Sequence, residues 1–159
     1  MTSGLPPVKR HVAGHDASGK SVYLDTPEVA MTAIGSTGYL ARSWSVATVP
    51  AKLENDEDKK AYFAGPESVT SFQRPEIVVA PEGGKNNGAN LMVVDLLPGQ
   101  WSGMHRTVSI DYSICCIGTI IHELDGGQTV TLKPGVRFLT LIVRFSADIP
   151  LGSYCATRH

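Results

Sequence analysis

The chain has 159 residues, of which 42% are hydrophobic and 18% charged, and its formal net charge is −1. These values exclude a disordered chain, a strongly basic nucleic-acid binder and a chain drawn by charge to anionic membranes. The length suits one domain with its own core, and 16 glycines with 10 prolines favour a turn-rich, mostly β chain.

Three cysteines, Cys115, Cys116 and Cys155, make neither a disulfide framework nor a zinc site. Their number is odd, two are adjacent, and no CxxC spacing occurs. The opening MTSGLPPVKRHV lacks the apolar centre of a signal peptide. The longest apolar runs, Ser113–Ile121 and Val136–Phe145, are too short to cross a bilayer as helices. The expectation is a soluble, cytoplasmic protein with no membrane and no nucleic-acid partner.

In chain order, residues 8–13 and 21–25 read as short strands joined by the turn formers of His15-Asp16-Ala17-Ser18-Gly19-Lys20. Tyr39 to Val49 alternates loosely around Trp44 and predicts another strand. LENDEDKKAYFAG, with acids first and lysines later, predicts a short surface helix favoured by the helix dipole. APEGGKNNGAN is a loop of turn residues. Asn90–Leu97, Ser109–Ile117, Thr119–Leu124 and Gln128–Leu132 predict strands. They are separated by Pro98-Gly99, the bend at Gly118 and the hairpin turn Asp125-Gly126-Gly127. After Lys133-Pro134-Gly135 comes a last apolar run, Val136–Phe145. Short strands closely punctuated by turns predict an all-β sandwich or barrel. Residues 1–80 read as an N-terminal arm and outer strands, 81–145 as a barrel core, and 146–159 as an atypical tail, all within one domain.

The stretch GMHRTVSIDYSICCIG, Gly103 to Gly118, resembles the first motif of the cupins. That motif has His-x-His, an acid four residues after the second His, and a Gly seven residues after the acid. Here the spacing places His105, Thr107, Asp111 and Gly118 at those positions. The HRT…DY variant and the opening PPVKRHVAGHDASGK also resemble small fungal single-domain cupins found among secondary-metabolite biosynthesis proteins. The resemblance covers roughly residues 5–25 and 89–135. It implies a small jelly-roll barrel and a divalent metal (Fe, Mn, Ni or Zn) held by His105 and Asp111, with Thr107 and Arg106 at the pocket. No organic cofactor is implied.

Strand alternation sends positions 105, 107, 109 and 111 to one face, inward by the family pattern. A small barrel interior holds one ligand, and imidazole with carboxylate suits those metals. The family closes its site with a second motif: Gly-Asp, a short strand, then Arg-Gly-Thr-x-His. After Gly135 this chain reads VRFLTLIVRFSADIPLGSYCATRH, with no Gly-Asp and no His before the final residue. That break is compatible with translated intron or frameshifted sequence, and predicts a barrel incomplete at its C-terminal end.

The other polar residues have plainer readings. His122 shares a face with Ile120 and Leu124 and reads as a satisfied core or surface histidine. His11 and His15 read as solvated, Tyr112 as packing, and Trp101 as a pocket or edge aromatic. Cys115 and Cys116 read as buried, inert thiols. Two functions follow. One is an oxidoreductase acting on a small polyketide-type substrate, as in the resembled subgroup. The other is a non-catalytic binding or dimerisation cupin, or an inactive truncated form. By analogy with cupin barrels, a homodimer is expected.

Overall fold

The structure is a computed structural model that describes residues 3–46, 48–63, 89–147 and 153–158. The arm forms a hairpin of β1 (Ala13–His15) and β2 (Ser21–Tyr23). Asp16 makes its turn: Oδ1 accepts the backbone N–H of Ser18 at 2.8 Å and of Lys20 at 3.0 Å. The Ser18 hydroxyl also donates to this carboxylate and, with those amides, holds its pKa below the usual value.

Among the described residues eight strands build the main sheet: β3 (Thr32–Ile34), β4 (Gly38–Val46), β5 (Ala89–Leu96), β6 (His105–Ile117), β7 (Ile120–Glu123), β8 (Thr129–Leu132), β9 (Arg137–Ala147) and β10 (Ser153–Arg158). Their order is β3-β4-β5-β10-β6-β9-β7-β8. A 3-10 turn (Glu54–Asp56) and one helix, α1 (Glu57–Phe63), fill the predicted helical stretch.

β6 and β9 pair with each other, while the end of β9 also pairs with β7, so the sheet folds back on itself as a jelly roll. Leu96, Cys115, Ile120 and Leu132 meet in the core, with Val94 packed against them. The curl starts at Gly38. A Cβ there would lie 1.9 Å from the Asp95 carbonyl oxygen, so only glycine lets β4 and β5 close at that end.

Several expectations shift. The sheet is jelly-roll-like but not a closed barrel: among the described residues it has edges at β3 and β8, of three and four residues. Strands so short limit the exposed edge without closing it. The arm strand expected at 8–13 occurs at 13–15, set by the Asp16 turn. Thr32–Ile34, which no sequence signal marked, pairs with the start of β4. β6 begins four residues earlier than the apolar alternation indicated. The tail is part of the sheet: β10 lies between β5 and β6, pairing with both. Most of the loop at 80–90 lies outside the described residues. No described helix is long and apolar enough to cross a membrane.

Candidate functional site

The core cluster identifies the inward face of each strand. Cys115 belongs to it, and β6 alternates buried and exposed from Asp111 onward, so Asp111 and Ser113 point inward with Cys115. Tyr112 and Ile114 point outward and are exposed. On β7, Ile120 belongs to the core and His122 shares its face. On β5 the core residues Leu96 and Val94 put Met92 and Asn90 on the same side. Register carries that face across to β4, where Leu40 pairs with Val94, Arg42 with Met92 and Ser45 with Asn90.

The interior is thus two-toned. One end is apolar, formed by the core cluster. Beyond it, buried Arg42, Ser45, Asn90, Asp111, Ser113 and His122 line the same face. Burying polar groups is costly unless a partner repays it. The Oγ of Ser45, the Oγ of Ser113 and the Oδ1 of Asn90 have no partner among the described residues. Burial pushes the His122 pKa below its ordinary value, so the ring is neutral at neutral pH and presents a proton acceptor.

The two residues read as metal ligands both lie on β6. His105 heads β6, opposite Val143; it is exposed, and its Nδ1 lies 2.8 Å from the Gly103 carbonyl oxygen. Asp111 is buried, opposite Thr140. Between them the register slips: the five steps from Arg106 to Asp111 match only two on β9, from Ile142 to Thr140. That irregularity interrupts the alternation that would set 105, 107, 109 and 111 on one face. Arg106 lies on β6 before the slip and Thr107 within the interval where it occurs, and their side chains are outside the described set. Among the described residues, no three His, Cys, Asp or Glu side chains gather closely enough to hold a metal. His105 and Asp111 offer one imidazole and one carboxylate on the same strand, a donor chemistry that suits a divalent metal.

Sequence reading missed Arg42, Asn90 and Asp95. Arg42 and Asn90 carried a faint signal, since each is a polar residue at an inward-facing position of a strand. Asp95 faces the opposite side, buried beneath the arm, where the Ser3 hydroxyl donates to its Oδ2. Cys115 is buried as expected, but Cys116 is exposed because it falls on the outward alternate of β6.

No family model matches the chain. It is 35% identical over 129 residues to phomopsin biosynthesis cluster protein D of Diaporthe leptostromiformis, covering 79% of this chain and 62% of the relative. It is 29% identical over 136 residues to the cupin-domain-containing oxidoreductase fogC of Aspergillus ruber, covering 84% of this chain and 60% of the relative. Its relatives are fungal cupin-domain proteins. The cupin-like chain thus spans less than two thirds of the length of these two curated relatives. A cupin superfamily protein from Desulfitobacterium hafniense is a structural neighbour, with 10% identity and a TM-score of 0.40, covering 44% of this chain and 64% of that one.

Proposed function

We propose that the cupin-like chain is an oxidoreductase that converts a small polyketide-type intermediate in fungal secondary-metabolite biosynthesis, working in the interior of the jelly roll. The observation that carries this reading is the buried polar lining around Asp111 and His122, beyond an otherwise apolar core. Relatives named as cupin-domain oxidoreductases and biosynthesis cluster proteins support the reaction class. In this reading Arg42, Asn90 and Ser113 hold and orient polar groups of the substrate. Neutral His122 accepts a proton, and the apolar end excludes water.

The experiment is removal of the gene from the organism that carries it, followed by mass spectrometry of its metabolites. The expected result is loss of one product and accumulation of a precursor differing from it by two hydrogens or one oxygen. An unchanged profile, or a precursor differing by a non-redox group, contradicts the proposal.

The proposed cofactor is a divalent metal of the Fe, Mn, Ni or Zn group, for which His105 and Asp111 are the sequence candidates. A non-catalytic binding role is the second reading, favoured by the lack of a three-ligand cluster among the described residues. Metal analysis of the purified protein separates the two: a stoichiometric metal supports the enzyme, and its absence supports the binding role. A soluble, cytoplasmic homodimer completes the proposal, and sedimentation of the purified chain tests the dimer.

A further inference from the structure

A second polar site lies on the opposite face of β4. There the arm crosses the sheet and leaves a cleft of about 520 Å³ lined by Arg10, Val12, Ser43, Trp44 and Leu91, with His11 at its side. This is the outward side of the strand, since Trp44 stacks on Tyr62 of α1 at 4.3 Å between ring centroids.

Three observations point to a ligand. Arg10 donates only to neutral acceptors: the Ser43 carbonyl at 3.1 Å, the Tyr62 hydroxyl at 2.8 Å and the Pro27 carbonyl at 2.8 Å. Among the described residues no carboxylate forms an ion pair with it. Its Nε is buried without an acceptor. Ser43 is 5% exposed, lines the same cleft, and its Oγ is also buried without a partner. A cation and a hydroxyl, both short of an acceptor, thus border an aromatic and aliphatic wall of Trp44 and half-exposed Leu91. A guanidinium whose buried Nε lacks an acceptor attracts an anion, and an indole face attracts a flat ring.

We propose that this cleft binds a planar aromatic carboxylate, its ring against Trp44 and its carboxylate accepting from Arg10 and Ser43. The site is independent of the interior one and stands whether or not the interior site is catalytic.

Titration calorimetry of the full chain with naphthoate tests it, with neutral naphthalenemethanol as the paired probe. The expected result is saturable naphthoate binding, weakened at least tenfold for the alcohol and in Arg10→Gln, several-fold in Ser43→Ala, and unchanged in Asp111→Asn. The alcohol comparison uses the unaltered chain, so it holds even if Arg10→Gln loosens the arm. Absence of saturable binding, equal affinity for acid and alcohol, or loss of binding in Asp111→Asn overturns the proposal; the last would put the anion in the interior.

Discussion

The two faces of β4 are both buried, but for different reasons. The inner face carries Leu40, Arg42 and Ser45 toward the jelly-roll interior, where polar groups are kept beyond an apolar core. The outer face carries Ala41 and Trp44, covered by the arm and α1 through the Trp44, Tyr62 and Phe63 rings and the Arg10 guanidinium. The Tyr62 hydroxyl donates to the Arg42 carbonyl at 2.8 Å and accepts from Arg10 at 2.8 Å, pinning arm, helix and strand together. The outer face is thus built mainly for cohesion. The inner face holds buried polar groups beyond an apolar core.

The comparison can be broken first at Gly38, where both faces begin. Gly38→Ala sets a methyl group 1.9 Å from the Asp95 carbonyl, and the strand pair must shift. A loss of roughly 3 kcal/mol or more is expected, read as a lower denaturant midpoint. Tyr62→Phe strips the outer face of its central hydroxyl. Leaving the Arg42 carbonyl and an Arg10 N–H short of a partner costs about 1–3 kcal/mol, by the same measurement.

Asp95 sharpens the contrast with the opposite sign. Burial pushes its carboxyl pKa up, opposed by the Ser3 hydroxyl. Its folded pKa therefore lies above the unfolded value, so its stabilising contribution is present below that value and lost as pH rises through the folded pKa. Asp95→Asn should raise the denaturant midpoint at neutral pH and leave it unchanged in strong acid.

The smallest expected effect is at His122, on the inner face. Burial lowers its pKa from 6.5, so the folded chain favours the neutral ring. Stability from this group is full above about pH 6.5 and falls as the unfolded chain takes up a proton below it. His122→Gln should flatten that acid-side decline, followed by unfolding midpoints between about pH 7.5 and 5.

Much of the fold was legible because turn chemistry and alternation are local. Asp16, Gly118 and Asp125-Gly126-Gly127 punctuate strands where the sequence placed them, and β7 and β8 fall within their predicted ranges. The place of β10 was not legible: SYCATR carries no signal for insertion between β5 and β6, which is a long-range pairing. The site was half legible. Asp111 and its inward face followed from period two. The register slip after Arg106 did not, because a bulge leaves no fixed residue pattern and reverses the face of what precedes it. Arg42 escaped because a single charge in a loosely alternating strand resembles an edge residue until its neighbours are known.

The central claim is that the inner face around Asp111 is the working site, and it is tested most directly by returning variants to an organism from which the gene has been removed. Asp111→Asn keeps the shape and replaces the carboxyl group with an amide. The account predicts that the accumulated precursor persists with Asp111→Asn and is consumed again with the unaltered chain. A full return of the product with a folded Asp111→Asn chain would contradict it.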